Sequence, residues 1–136
     1  MTEFIHDVRV YYEDTDVAGI VYHANYVRFF ERGRTEWLRE LGIDQTVLIE
    51  QGLAFAVTKM NIDYLKPARF NDLLEVVTEI QSSKRASIIF KQSIRDKQCP
   101  NLIYSKAEVK AACIDMKSLK PKALPKQLLE EIICER

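Results

Sequence analysis

The chain has 136 residues, 20 basic and 20 acidic side chains, a formal net charge of zero and a hydrophobic content of 47%. That is the size of one domain, able to bury roughly two thirds of its unfolded surface without a disulfide or metal staple. The charge balance excludes a global basic field for nucleic acid or an anionic membrane, and no stretch approaches the roughly 18 apolar residues that span a bilayer.

Cys99, Cys113 and Cys134 are odd in number and lack metal-ligand spacing. They fit the small thiols of a reduced protein. The opening residues show no basic segment followed by an apolar run. The expectation is a single cytoplasmic domain over residues 1–136, with no nucleic-acid partner and no membrane insertion.

In chain order, Val8, Val10 and Tyr12 alternate with Arg9 and Tyr11, which predicts a half-buried strand. Three acids and Gly19 break the alternation between Glu13 and Gly19. Ile20 to Tyr22 then lead to His23, Ala24 and Asn25, and Asn25 is the expected N-cap of a helix. From Tyr26 the period is helical. Tyr26, Phe30, Gly33, Trp37 and Leu41 form one stripe, widened by Val27, Phe29 and Leu38. Arg28, Glu31, Arg32, Arg39 and Glu40 fall on the other side, where Arg32 and Glu36 have i, i+4 spacing for an ion pair. Gly33 inside a helix costs about 1 kcal/mol against Ala. Close approach to a sheet would account for it. Gly42 ends the helix.

Asp44 to Gln51 predicts one or two further helical turns. Strands follow around Lys59–Tyr64, Leu74–Ile80, Ile88–Ile94 and Leu102–Met116, the last long enough to need a bulge. A short helix is expected over Lys126–Ile133. One apolar helix stripe and about five mostly antiparallel strands predict an α+β fold, a curved sheet wrapped around one helix. Its exposed edges predict oligomerisation through strands.

The chemistry concentrates between the first strand and the long helix. Asp14, Asp16, His23 and a helix N-terminus lie within a dozen residues. The N-terminus offers unpaired N–H groups and about half a positive charge, suited to an oxyanion forming on a carbonyl. A carboxylate opposite it can activate water or attack the carbonyl itself. There is no Gly-x-Ser-x-Gly elbow, no His-Glu-x-x-His, no Cys-x-x-Cys and no glycine-rich phosphate loop, and His6 and His23 are the only histidines. Spacing alone does not rank Asp14 against Asp16. Asp16 also fits a turn residue, and His23 a polar residue at a helix start. The aromatic residues Tyr22, Tyr26, Phe29, Phe30 and Trp37 read as core rather than as a ligand cage. Tyr11 and Tyr12 read as strand residues, one buried and one exposed.

The segment VRVYYEDTDVAGIVYHANYVRFFERGRTEWLRELG resembles the signature of hotdog-fold acyl-CoA thioesterases of the 4-hydroxybenzoyl-CoA thioesterase family, and within it the YbgC subgroup associated with the Tol–Pal cell-envelope system. The likeness continues through Asp63-Tyr64, Pro67-Ala68-Arg69, Asp72 to Glu75 and Lys120-Pro121. It implies a five-stranded antiparallel sheet around a long central helix. It implies Asp16 as the catalytic carboxylate, with Asp14 structural, backbone N–H groups near Tyr22 and His23 polarising the thioester carbonyl, and His23 orienting substrate or water. Tyr12 would line the site. It also implies a site at a dimer interface, in a homodimer or homotetramer, with CoA phosphates on surface cations. Lys84, Arg85, Lys117 and Lys120 are placed near strand ends for that role. No metal and no separate cofactor are implied, since CoA belongs to the substrate. The alternative is an adaptor that binds acyl-carrier protein or envelope-lipid enzymes with little turnover. A hotdog dehydratase fits less well, because Asp16 and Tyr22-His23 follow the thioesterase pattern. Phe55, Val57 and Met60 are expected to bear on the depth of the acyl cavity.

Overall fold

A computed structural model describes residues 3–135, with side chains described through residue 132. Strand β1 (Phe4–Arg9) leads through a single 3-10 turn (Tyr12–Asp14) to helix α1 (His23–Glu40) and the short α2 (Gln45–Glu50). Four strands follow, β2 (Leu53–Tyr64), β3 (Leu73–Ser83), β4 (Ser87–Asp96) and β5 (Ile103–Asp115), and then α3 (Lys126–Glu135). All pairings are antiparallel, in the order β1-β3-β4-β5-β2, so β1 and β2 are the edges. This is the expected α+β hotdog layout. No helix among the described residues is long and apolar enough to cross a membrane.

The helix lies against the sheet because its stripe is apolar and because Gly33 has no side chain. A Cβ on Gly33 would stand 2.7 Å from Val76 Cγ1, 3.0 Å from Thr78 Oγ1 and 3.2 Å from Gln92 Nε2. The close approach expected from a mid-helix glycine is therefore present. Phe29, Phe30 and Trp37 are buried with Leu74, Val76, Phe90, Ile94 and Val109 in one core. The Trp37 and Phe90 rings meet edge to face with centroids 5.4 Å apart, a favoured aromatic geometry. Leu124, Leu128 and Ile132 close the same core from the C-terminal end.

Five local expectations need correction. The first strand begins and ends earlier, because β1 pairs with β3 only from Phe4↔Thr78 to Arg9↔Leu73. Tyr11 and Tyr12 are therefore both exposed, in and beside the 3-10 turn. The N-cap of α1 is Tyr22, and Asn25 sits inside the first turn with its side-chain amide donating to Asp14 Oδ1 (2.8 Å). Val27 faces outward. Arg32 stacks over the Phe29 ring (5.7 Å), while Glu36 pairs with Arg39. Cation–π contact and i, i+3 pairing thus replace the expected i, i+4 pair.

The long last strand carries its bulge at Tyr104, where Ile94 pairs with Ser105 and Arg95 with Ile103. Two more register shifts, at Thr58 and Gln81, add curvature. The bulge turns Tyr104 so that its hydroxyl reaches Asp96 Oδ1 (3.1 Å) and Asp72 Oδ2 (3.4 Å). That joins the end of β4 to the β2–β3 connection, the loop that supports the start of α1.

Candidate active site

The junction is built by backbone bonds. Val10 N–H donates to Asp72 O (2.9 Å), and Asn71 N–H to Val10 O (3.0 Å), which fasten the chain leaving β1 to the β2–β3 loop. Asp14 is then buried at 6% exposure. Its carboxylate accepts from Tyr11 N–H (2.8 Å) and from the Asn25 side chain. A buried carboxylate so occupied holds the turn to the helix. Asp14 is a structural residue here.

Asp16 heads a tight loop. Its N–H donates to Ile20 O (2.9 Å), its carbonyl accepts from Gly19 N–H (3.0 Å), and its Oδ1 accepts from Ala18 N–H (2.9 Å). Gly19 takes φ 75°, the left-handed value that glycine adopts without strain. Thr15 pairs with Val21 across the loop. Asp16 is both the turn residue and the exposed carboxylate, with its Oδ2 unengaged among the described residues. Tyr12, Glu13, Thr15, Asp16 and Val17 line a surface recess of ≈ 400 Å³.

The helix start is fixed from outside. Val21 N–H donates to Ala68 O (2.9 Å), Ala68 N–H to Tyr26 Oη (3.0 Å), and Tyr64 Oη–H to His23 O (3.2 Å). The Tyr64 ring meets Tyr26 at 5.6 Å and His23 at 6.2 Å between centroids. Burial pushes the Tyr26 phenol above its ordinary range, so it stays a neutral hydrogen-bonding group.

Of the two backbone donors expected at this turn, Tyr22 N–H is already used. It donates to Asp14 O at 2.9 Å. The correction is physical: one N–H serves one good acceptor, and the buried turn supplies it. Among the described residues, the N–H groups of His23 and Ala24 find no acceptor, and the N-cap side chain makes no capping bond. These are the open donors of the helix start. The His23 imidazole is exposed and lies against the Tyr22 ring (4.6 Å). It does not line the recess shared by Asp16 and Tyr12.

The four expected phosphate-binding cations lie elsewhere. Lys84 and Arg85 occupy the β3–β4 turn, and Lys117 and Lys120 the turn after β5. Leu124 N–H donates to Arg85 O (2.8 Å), which ties these two turns together. Arg9, the end of β1, pairs with Leu73 at the start of β3, so the Asp16 loop is at one end of the sheet. The cations are at the other, on the order of 33 Å away along β3.

Two residues near this machinery escape sequence reading. Tyr64 reads as the last residue on the apolar side of a strand, and only the fold brings its hydroxyl to His23. Arg34 sits within the polar part of the helical pattern, yet it is buried beside Gln92. No spacing rule marks either.

The comparisons fall on one family. The thioesterase-like superfamily pattern matches residues 10–132. The acyl-CoA thioester hydrolase YbgC of Escherichia coli O6:H1 is 47% identical over 130 residues, covering 96% of each chain. The acyl-CoA thioesterase YbgC of Haemophilus influenzae is 51% identical, covering 92% of this chain and 90% of its own. A probable thioesterase from Bartonella henselae superposes with a TM-score of 0.79 at 36% identity, over 90% of this chain and 98% of that one. In fold alone, a 1,4-dihydroxy-2-naphthoyl-CoA thioesterase from Synechocystis reaches a TM-score of 0.90 at 23% identity, over 97% and 96%. With its sheet wrapped on one helix and these likenesses spanning nearly its whole length, the chain belongs to the thioesterase-like superfamily, grouping with the YbgC proteins as a hotdog-fold thioester hydrolase.

Proposed function

We propose that the chain hydrolyses acyl-CoA thioesters to a free acid and CoA, with Asp16 as the working carboxylate. One observation carries the reading: an exposed carboxylate and two uncommitted helix-start amides share one short loop. Oriented amides at a helix start stabilise the oxygen on which charge develops when the thioester carbonyl is attacked. Asp16 then takes a proton from water as the water oxygen bonds to the acyl carbon. The C–S bond breaks, the carbonyl re-forms, and the thiolate leaves and is protonated. A thiolate leaves readily, so a base and a fixed dipole suffice without metal or cofactor. The CoA moiety is part of the substrate. In the other version Asp16 bonds to the acyl carbon as the C–S bond breaks and the thiolate leaves to be protonated, and water then cleaves the resulting anhydride to the free acid and the aspartate.

His23 serves chiefly through its backbone N–H in this reading, with its ring and Tyr12 at the rim for substrate. The phosphates of CoA need cations, and the expected Lys84, Arg85, Lys117 and Lys120 of the same chain lie at the opposite end of the sheet. A second copy resolves this. Edge strand β2 ends at Tyr64 beside His23 and begins at Leu53, next to Met116, whose N–H donates to Gly52 O (2.9 Å). Antiparallel pairing of β2 with β2 would bring one chain's Lys117 and Lys120 toward the other's His23. It would also cover an unpaired edge. Tyr12, Val17, Tyr22, Tyr64 and Phe70 are all exposed apolar side chains around the same end, which supports a partner surface there. The proposed state is a cytoplasmic homodimer, or a tetramer of such pairs.

An acyl-CoA panel assayed with wild type and Asp16→Ala tests the reading. Activity retained by Asp16→Ala would refute the role of that residue. Turnover of no acyl thioester by wild type would favour the adaptor alternative, in which the chain holds acyl-carrier protein or envelope-lipid enzymes. A single turnover in isotopically labelled water separates the two versions: label entering the product acid directly means base catalysis.

A further inference from the structure

A second feature lies beneath α1, away from the Asp16 loop. Arg34 is 8% exposed. Its Nη1 donates to Gln92 Oε1 (3.0 Å), and no carboxylate among the described residues forms a salt bridge with it. Gln92 is held in that orientation because its Nε2 donates to Phe30 O (3.0 Å) and Thr78 Oγ1 (2.9 Å). A guanidinium carries five N–H donors, so most of its donor capacity is unused by the protein. No sealed side-chain nitrogen or oxygen among the described residues lacks a partner. The remaining Arg34 donors therefore open outward, and Arg34 is part of the wall of a cavity of ≈ 130 Å³.

That cavity combines one buried cation with an apolar lining from Leu38, Phe55, Val57, Ile88, Phe90 and Ala111. Burying a charge without a counter-ion is costly unless something pairs with it. Burial also holds the guanidinium below its ordinary range, and the nearby Glu31 offsets this in part. Glu31 is itself exposed and accepts from Thr35 Oγ1 (3.2 Å) at the rim. The volume suits an apolar body of about six carbons, since a cavity near 150 Å³ holds benzene.

We propose that this cavity is a binding site for a carboxylate carried on a small apolar body, with Arg34 taking the carboxylate. A guanidinium presents paired N–H groups that match the two carboxylate oxygens. Two sources share this chemistry. One is a free carboxylic acid, the class of molecule that thioester hydrolysis releases. The other is the distal carboxylate of a long acyl group. Arg34 stands 11 positions beyond His23, about 16 Å along the helix axis, so an acyl group held at the same chain's His23 would need roughly a dozen carbons to reach it.

The direct test is binding of hexanoate, hexanol and hexylamine to the full chain, followed by calorimetry and by the Arg34 Nε–H resonance. It does not depend on hydrolysis, so its failure is distinguishable from failure of the function proposed above. Hexanoate is expected to bind about tenfold or more tightly than hexanol, as one charge-assisted hydrogen-bond pair supplies, and hexylamine to bind worst. Ala111→Leu, which fills the cavity from β5, is expected to abolish binding of both hexanoate and hexanol. Arg34→Met is expected to remove the preference for hexanoate, and Arg34→Lys to retain part of it. Equal binding of hexanoate and hexanol, or hexanoate binding undiminished by Ala111→Leu, overturns the proposal even if Arg34→Met does not fold. The absence of any hexanoate binding overturns it as well. Resting on the thioesterase reading, kinetics then separate the sources. Product inhibition by hexanoate that Arg34→Met relieves identifies the free acid. A kcat/KM advantage for ω-carboxyl over plain acyl-CoA that Arg34→Met erases identifies the acyl terminus.

Discussion

The first turn of α1 and its middle belong to one continuous helix, yet they are held by opposite means. Around His23 the helix is fixed to its surroundings by Tyr64 Oη–H donating to His23 O and by the N-cap Tyr22 N–H donating to Asp14 O, and it leaves backbone donors open. Around Gly33 it is fixed by contact, with the sheet so close that a Cβ does not fit. The His23 imidazole at the first turn is exposed, whereas Arg34 is carried inward by the same rotation that buries Phe30 and Trp37. The difference teaches that the packed middle sets where the helix lies, and the bonded start sets what it can do. Substitutions at the start should change activity with little effect on stability, and substitutions at the packed Gly33 the reverse.

Asp16→Ala is the sharpest separation of the two regions. Loss of a general base typically lowers rate by about 10²- to 10⁴-fold. Because Asp16 is exposed and makes one side-chain bond, to Ala18 N–H, the melting temperature should move little. A thermal scan beside a kcat measurement checks both halves, and an equally large loss of stability would break the comparison.

Gly33→Ala is the converse. The new methyl meets Val76, which is stiff and fully buried, and Thr78 and Gln92, which are tied to each other. Overpacking of this kind costs roughly 1–3 kcal/mol, offset by about 1 kcal/mol of better helix propensity. A net loss of up to about 2 kcal/mol is expected in urea denaturation. A gain in stability would show that the sheet can yield there.

Tyr64→Phe tests whether the start is positioned from β2. It removes the bond to His23 O but keeps the ring against His23 and Tyr26. About 1 kcal/mol or less of stability should be lost, with kcat falling more than KM rises. An unchanged kcat would mean that the tyrosine is only a packing residue.

The smallest effect concerns the loop beneath the helix start. Burial, then the neighbouring Asp72 and Asp96, raise the Tyr104 phenol above its ordinary value of 10.0. A raised folded-state value means that its contribution is complete below about pH 10 and is lost as pH climbs through the folded value. Tyr104→Phe should therefore be less stable than wild type at pH 7 by about 1 kcal/mol and should lose less on going to alkaline pH. Parallel stability curves above pH 10 would count against this.

Much of the fold was legible from periodicity. The helical stripe, the alternating strands and the anomalous glycine correctly predicted one helix against a curved antiparallel sheet. Boundaries were less legible, because β1 ends at Arg9, opposite the first residue of β3, and not where its own alternation fades. The site was legible in its residues and less so in their roles. Asp14 and Asp16 are equally acidic in sequence, and burial with two hydrogen-bond donors marks Asp14 as structural. Tyr22 and His23 are equally plausible amides until Asp14 O is seen to occupy one of them. Lys84, Arg85, Lys117 and Lys120 were read near strand ends, but sequence does not say which end of which chain.

By itself the sequence determined the class of fold, the burial of the α1 stripe and the family signature between β1 and α1. Those depend on short-range spacing of side chains along a helix or strand. The tertiary structure alone decided which amides remain open, that Tyr64 holds the helix start, and that Arg34 lies buried at a cavity wall. Each of these joins residues from elements far apart in the chain, and such contacts are set by how the sheet curls over the helix rather than by any local pattern.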